Sequence, residues 1–251
     1  MVTEKSVLLV DAGNTQLKYV RLAQYNKHIF CAESAASLFK TLREETLPTH
    51  IFLCNVGKTL IEEHFIELCK RHHIELHIIC TEKTRFGLHN SYKNVSKMGS
   101  DRWLAMIAAQ EITTQPFAVI DIGTALTCDF VENGQHLGGW IVPGFALMQK
   151  SLAENTSKVS IDSRIPVDFG VGQDTEECVA MGCQAAVRGV YLSAVDYLSS
   201  KQSRFSVIIG GGGKNMLAFA ESDGSILVAN LVVHGLARYA RSLLPALVSD
   251  R

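Results

Sequence analysis

The sequence predicts an α/β protein built as two like halves, and three observations carry that prediction. The apolar run Val7-Leu-Leu-Val10 empties directly into Asp11-Ala-Gly-Asn-Thr-Gln-Leu-Lys18. Phe117-Ala-Val-Ile120 empties in the same way into Asp121-Ile-Gly-Thr-Ala-Leu-Thr-Cys-Asp129. Each run also opens what reads as a three-strand meander. The two stretches share little beyond Asp, Gly and Thr, so the repeat is one of pattern more than of sequence.

In the first half, Val7–Val10 is a short buried strand, with further strands expected over 17–23 and 28–32 around a turn at Asn26-Lys27. A helix is expected over 35–45, ending before Pro48. Ile51–Cys54 is a fourth strand, and apolar residues at helical spacing predict a helix over 59–72. A fifth strand follows over 76–80. Alternation of helix and strand is the pattern of parallel crossovers, whereas the opening strands suit an antiparallel meander. Residues 81–97 are polar and irregular, and a connection of that length is commonly functional. Gly99-Ser-Asp-Arg102 then opens a helix that runs through Trp103 to Ile112.

Pro116 marks the expected boundary, giving domains 1–115 and 116–251. In the second half, strands over 127–132 and 136–142 flank a turn at Asn133-Gly134. Pro143-Gly144 leads into a helix to about Ala153, 154–172 reads as loop, and a long helix spans 174–199. The buried strand 205–209 empties into Gly210-Gly-Gly-Gly213. A short strand at 226–228 and an amphipathic helix over 230–244 close the chain.

A chain of 251 residues, 47% hydrophobic and 20% charged, has the composition of an ordinary globular protein. Its formal net charge of -1 gives no electrostatic case for nucleic acid. The run Val7–Val10 is too short for a signal peptide. No stretch reaches the roughly 18 uninterrupted apolar residues of a membrane span. The seven cysteines include no Cys-x-x-Cys and sit mostly in apolar runs, which suits reduced thiols and a cytoplasmic location.

The two Asp-Gly-Thr loops are the strongest chemical signal. Read as a phosphate clamp, Asp11 and Asp121 hold a cation, directly or through water. Thr15, Thr124 and Thr127 donate to phosphate oxygens, Gly13 lets the backbone approach, and Lys18 neutralises charge. One such loop alone is equally well a tight turn capped by Asp and Thr; the pair favours phosphate. Neither loop is Gly-x-Gly-x-x-Gly or Gly-x-x-x-x-Gly-Lys-Ser/Thr, which disfavours dinucleotide and P-loop folds. In Gly99-Ser-Asp-Arg102, Asp101 is a candidate general base and Arg102 a candidate grip on an anionic group. Standing alone, that motif reads more readily as a helix cap with a solvated arginine. Gly138–Gly144 could wall an acceptor pocket, and Gly210–Gly213 suits close approach to an adenosine or ribose. His73 and His77 have the i, i+4 spacing of a metal pair, but the segment passes from helix end to strand, which breaks that geometry. His234 reads as a packing residue, and Cys178 and Cys183 as core thiols.

Taken together, these motifs resemble the type III pantothenate kinases, members of the actin-like ATPase and sugar-kinase superfamily. The match is carried by Asp11-Ala-Gly-Asn-Thr-Gln-Leu-Lys18, by Tyr92 with Gly99-Ser-Asp101-Arg102, by Asp121–Asp129 and by Gly138–Gly144, in that order along nearly the whole chain. The resemblance implies a duplicated actin-like, ribonuclease-H-like fold: two mixed-sheet domains with helices and a nucleotide cleft between them. It implies ATP-dependent phosphorylation of pantothenate, the first step of coenzyme A synthesis. It makes Asp101 the proton acceptor and puts Tyr92, Gly99, Ser100 and Arg102 around pantothenate, with Thr175 added from the neighbouring subunit of a homodimer. Asp11, Ala12, Gly13, Asn14, Thr15, Gln16, Leu17 and Lys18 would cradle ATP, which Thr124 also contacts. Asp121 would hold a monovalent cation, K+ or NH4+, and Asp11 the magnesium of Mg-ATP, directly or through water. The sequence departs from the family in having Val95-Ser-Lys97-Met98 where a proline is frequent, and Gly210 where a threonine often precedes the last glycine run. Two other readings stand beside this one: a kinase for another small hydroxylated acceptor, and a nucleotide-binding regulator without turnover. A membrane or nucleic-acid partner is not expected.

Overall fold

The structure, a computed structural model, describes residues 2–13, 16–57, 59–157, 159–162, 165–166, 168–245 and 247. The chain divides into two compact units. The first comprises Met1–Phe86, Tyr92–Ala108 and Leu231–Arg251; the second comprises Gly87–Ser91 and Ala109–Asn230.

The first unit is built on a five-stranded sheet. Its strands are β1 (Val7–Ala12), β2 (Leu17–Arg21), β3 (Phe30–Ala32), β4 (His50–Asn55) and β5 (Glu75–Ile78), in the order β3-β2-β1-β4-β5. The β1–β2–β3 meander is antiparallel, while β4 and β5 run parallel to β1. Helices α1 (Ala35–Glu44) and α2 (Thr59–Arg71) make the crossovers. On α1, Ser34 caps the first turn by accepting from the Ser37 amide, and Leu38, Phe39 and Leu42 bury one face. These side chains meet Leu8, Val10, Ile51 and Leu53 in one core on one side of the sheet. Strand alternation therefore turns Val7, Leu9, Asp11 and Cys54 to the other side. The short strand β6 (Thr84–Arg85), a 3-10 turn at Val95–Lys97 and helix α3 (Ser100–Ala109) follow.

The second unit opens on β7 (Leu88–His89), then β8 (Phe117–Ile122), β9 (Ala125–Glu132) and β10 (Gln135–Pro143). Helices α4 (Phe145–Asn155) and α5 (Thr175–Ser199), strand β11 (Ser206–Gly210), a 3-10 segment at Lys214–Glu221 and strand β12 (Ile226–Leu227) complete it. Its strands lie in the order β12-β11-β8-β9-β10-β7. The expected meander is present as β8–β9–β10, and β11 returns parallel to β8. At 25 residues, α5 is long and apolar enough to cross a membrane. Its buried residues, Ala180, Cys183, Val187, Tyr191, Ala194 and Leu198, recur at helical spacing and pack into the core of this unit.

The last helix, α6 (Leu231–Leu243), belongs to the first unit. Gly235 is what lets it approach α3: a Cβ there would overlap the Leu104 carbonyl. Two polar ties fix the pair. Buried Trp103 donates to the Tyr239 hydroxyl at 2.9 Å, and Arg238 donates to the Ile107 carbonyl at 2.8 Å. The Tyr239 hydroxyl in turn donates to Glu82 at 2.6 Å. His234 packs edge-on against Tyr25, a packing role as expected.

None of the seven cysteines is in a disulfide; Cys54, Cys69, Cys128 and Cys183 are buried, whereas Cys31, Cys80 and Cys178 are exposed. Cys178 therefore departs from its expected place in the core, because it sits on the open flank of α5. Burial pushes the Cys69 thiol up to about 11 and raises Cys183 as well. An aromatic disulfide reagent at about pH 8 is expected to titrate three thiols rapidly and the other four only after unfolding. Seven fast thiols in the folded protein would contradict this burial.

Candidate active site

In the first unit the site starts from one row of the sheet. Asp11 lies opposite Lys18 on β2 and opposite Cys54 on β4, so the three side chains share a face. This is the face that α1 and α2 leave uncovered. Lys18 thus stands beside Asp11 at the base of the loop. Asn14 and Thr15 of that loop lie outside the described residues. Beyond β4, the Gly57 amide donates to the Asn55 side chain at 3.1 Å, and the Val56 amide donates to the Ala12 carbonyl at 3.2 Å. A side chain at Gly57 would crowd the Gly13 carbonyl, 3.3 Å from its Cβ, so glycine lets the two loops lie together.

Helix α3 begins on the same face. The Cys54 thiol and the Ser100 hydroxyl are 3.3 Å apart and both buried. Burial pushes the Cys54 thiol well up; the Asp11 carboxylate and, more weakly, Asp101 add to it, while the Ser100 hydrogen bond opposes them. One buried thiol therefore feels the loop aspartate and the motif aspartate together, which puts Asp11 and Asp101 in one electrostatic neighbourhood. Asp101 occupies the first turn of α3, where the helix dipole favours a carboxylate, and its Oδ1 accepts the Arg102 amide at 2.8 Å. Gly99 permits this fold-back, since a Cβ there would stand 2.5 Å from that oxygen.

Arg102 is not the solvated arginine of a plain helix cap. It is 6% exposed, donates to the Tyr92 hydroxyl at 2.9 Å and lies 5.7 Å from the centre of that ring. A buried guanidinium with a phenol beside it suits a carboxylate ligand. The segment before it is pinned by Thr81, which donates to the Met98 carbonyl at 2.9 Å. A cavity of about 680 Å³ opens here, lined by Asn55, Val56, Cys80, Met98, Gly99 and Ser100 among others.

The second unit repeats the row. Asp121 lies opposite Thr127 on β9 and opposite Gly210 on β11. The place that Cys54 takes beside Asp11 is taken here by a residue without a side chain. The loop is closed by the Gly123 amide donating to the Ala125 carbonyl at 2.9 Å and the Gly144 amide to the Thr124 carbonyl at 3.0 Å. Gly144 is required for that closure, since a Cβ would overlap the Gly123 carbonyl. Gly211 and Gly213 fold onto Ile122, whose carbonyl accepts the Gly213 amide at 2.9 Å. The glycine run thus meets the end of β8 beside Asp121. Carboxylate, hydroxyl and backbone donors with little side-chain bulk fit a hard cation and phosphate oxygens.

The sequence reading missed one connection. The His136 ring donates through Nε2 to Asp129 at 3.0 Å, and its Nδ1 is hydrogen-bonded to the Ser91 hydroxyl at 3.1 Å. His136 and Asp129 are both buried. His136 lies opposite Val131, two residues along β9 from Asp129 and on the same face, so strand pairing brings the two together; a bulge follows between His136 and Gly138, which has φ 125°. The relay ends one residue before Tyr92.

Thr175 is exposed at the start of α5, next to the cap Asp174, whose side chain accepts the Glu177 amide at 2.8 Å. It borders an open, apolar groove of about 870 Å³ lined by Pro143, Met148, Leu152, Cys178 and Val179.

Comparison with known proteins gives the family and the fold. The family model described as type III pantothenate kinase matches residues 7–196. A type III pantothenate kinase of Pseudoalteromonas atlantica is 35% identical over 243 residues, covering 95% of this chain and 99% of its own. Among solved structures, a Campylobacter jejuni protein described as a Baf family transcriptional activator superposes with a TM-score of 0.61 at 22% identity, covering 96% of this chain and 100% of its own. A Sinorhizobium meliloti protein described as a 2-dehydro-3-deoxygalactonokinase reaches 0.58 at 13% identity, covering 95% and 99%. At such identities these two speak for the fold alone, a duplicated α/β fold of the actin-like ATPase and sugar-kinase type.

Proposed function

The chain belongs to the type III pantothenate kinase family, and from that premise we propose how its residues divide the work of phosphoryl transfer. The reaction is ATP-dependent phosphorylation of pantothenate to 4′-phosphopantothenate, at the start of coenzyme A synthesis, with a divalent metal. Asp101 accepts the proton of the pantothenate hydroxyl as its oxygen attacks the γ-phosphorus in line. Arg102 and Tyr92 hold the pantothenate carboxylate, and Gly99 and Ser100 line the acceptor position. The observation that carries this reading is the buried Arg102–Tyr92 pair one residue from Asp101.

Residues 11–18 cradle the ATP phosphates and Thr124 contacts them from its own loop. Asp11 would hold magnesium, directly or through water, and Asp121 would hold K+ or NH4+; when bound, these ions would offset phosphate charge. The bare backbone of Gly210 beside Asp121 supports a cation there, because it leaves room next to the carboxylate. Thr175 reaches pantothenate in the neighbouring subunit of a homodimer. The open apolar groove beside it supports that assembly, and light scattering should return about twice the 27.5 kDa chain mass. The seven cysteines, with no Cys-x-x-Cys and mostly in apolar runs, support a cytoplasmic setting.

The test is ADP release with purified protein, Mg-ATP and a panel of hydroxylated acceptors. Release is expected only with pantothenate and only when K+ or NH4+ is present, and Asp121→Asn should blunt the monovalent response. Equal ATP consumption without pantothenate would overturn the assignment.

A further inference from the structure

Away from the site just described, at the opposite end of β4, the first unit brings two histidines and a glutamate together. His50 is the first residue of β4 and pairs with Glu75, the first residue of β5; His77 stands two residues along β5. The period of two in a strand turns all three side chains to one face. The His50 Nδ1 to His77 Nε2 distance is 3.2 Å. His50 Nδ1 lies 3.5 Å from Glu75 Oε2, and His77 Nε2 lies 3.4 Å from Glu75 Oε1. Bonds of about 2.0–2.1 Å in a tetrahedron put neighbouring ligand atoms about 3.3 Å apart. The two ring nitrogens thus stand about one such edge apart, and the carboxylate meets His50 through Oε2 and His77 through Oε1, so that each of the three residues offers a ligand atom within 4.8 Å of the others.

We propose that His50, Glu75 and His77 bind one borderline divalent transition-metal ion of the zinc class. The rings are held for it. His77 stacks on Phe52 with centroids 4.3 Å apart, and His50 and His77 lie nearly parallel, 24° between planes. His50 is buried, whereas the Glu75 side chain is 64% exposed, so an ion can enter at the edge strand and keep a water as fourth ligand. A neutral ring is the form that ligates. Two imidazoles and one carboxylate select zinc, cobalt or nickel over magnesium, whose preference is for oxygen ligands. Four residues of strand, about 13 Å, separate His50 from Cys54 beside the catalytic motif, so the ion would brace β5 against β4 and take no part in transfer.

The experiment uses the full chain stripped with a chelator and titrated with Co2+ and with Zn2+. Expected are one ion per chain, visible cobalt bands of a four-coordinate nitrogen and oxygen site, and a higher melting temperature with zinc. Millimolar Mg2+ should not displace the ion. Glu75→Gln, an exposed change, should weaken binding at least tenfold, and His77→Gln should abolish it, while both keep pantothenate-dependent ADP release in Mg2+. If His77→Gln fails to fold, Glu75→Gln decides. No cobalt binding at millimolar concentration would overturn the site. So would wild-type affinity in Glu75→Gln, or a near-ultraviolet thiolate-to-cobalt band pointing to Cys31, Cys80 or Cys178.

Discussion

Replacing Asp101 by asparagine is expected to lower turnover by roughly 10²- to 10⁴-fold, the range general bases contribute, and to leave ATP affinity within about twofold of wild type. The side chain keeps its shape, so the hydrogen bond from the Arg102 amide can persist and α3 should hold. What is lost is the acceptor for the hydroxyl proton. Phosphoryl transfer through a loose transition state asks little of a base early on, so the loss should sit toward the lower end of that range. The effect should appear in kcat, with a small change in the KM for pantothenate, because Arg102 and Tyr92 still hold the acid. Coupled ADP release gives kcat, and a fluorescent nucleotide gives affinity. Near-normal turnover would move the base elsewhere. Loss of nucleotide binding as well would say that Asp101 supports the Asp11 loop through their shared neighbour Cys54.

The parts of this site that were legible in the sequence are those in which a short motif fixes its own geometry. Asp11–Lys18 and Asp121–Asp129 follow apolar strands, and a strand that ends in Asp and Gly has few ways to continue. Gly99–Arg102 was legible as residue types, but its local reading allowed a solvated Arg102. Burial of that side chain depends on Tyr92, ten residues earlier in an irregular segment, which no periodicity reports. His77 was read with His73, its neighbour in sequence. Its partners are instead His50 and Glu75, and only the β4–β5 register brings them together. The return of α6 to the first unit has the same cause: Gly235 and Tyr239 are helix residues like any others until Leu104 and Trp103 are placed beside them. The Asp129–His136–Ser91 contacts join two paired strands to the segment before Tyr92, and no local pattern reports that pairing.

Gly211→Ala should damage the second unit more than any other single methyl group added at the glycine run. At φ 85° the backbone is in the left-handed region, which costs an alanine roughly 1–2 kcal/mol. The added carbon would also stand 2.5 Å from the Ile122 nitrogen and 2.6 Å from its carbonyl carbon. Backbone cannot swing aside as a flexible side chain can, so the end of β8 must move, at a further cost of roughly 1–3 kcal/mol. Ile122 separates Asp121 from Gly123, and its carbonyl holds the Gly213 amide, so the shift reaches the loop itself. The expected result is a melting temperature lower by roughly 5–15 °C, together with a raised KM for ATP and a smaller change for pantothenate. Gly212→Ala is the control, because a Cβ there meets nothing within 4 Å. If the two variants melt alike, the glycine run does not close on β8 as described. If Gly211→Ala melts low yet keeps a wild-type KM for ATP, the run braces the fold and the nucleotide contact lies with Thr124 and Asp121 alone.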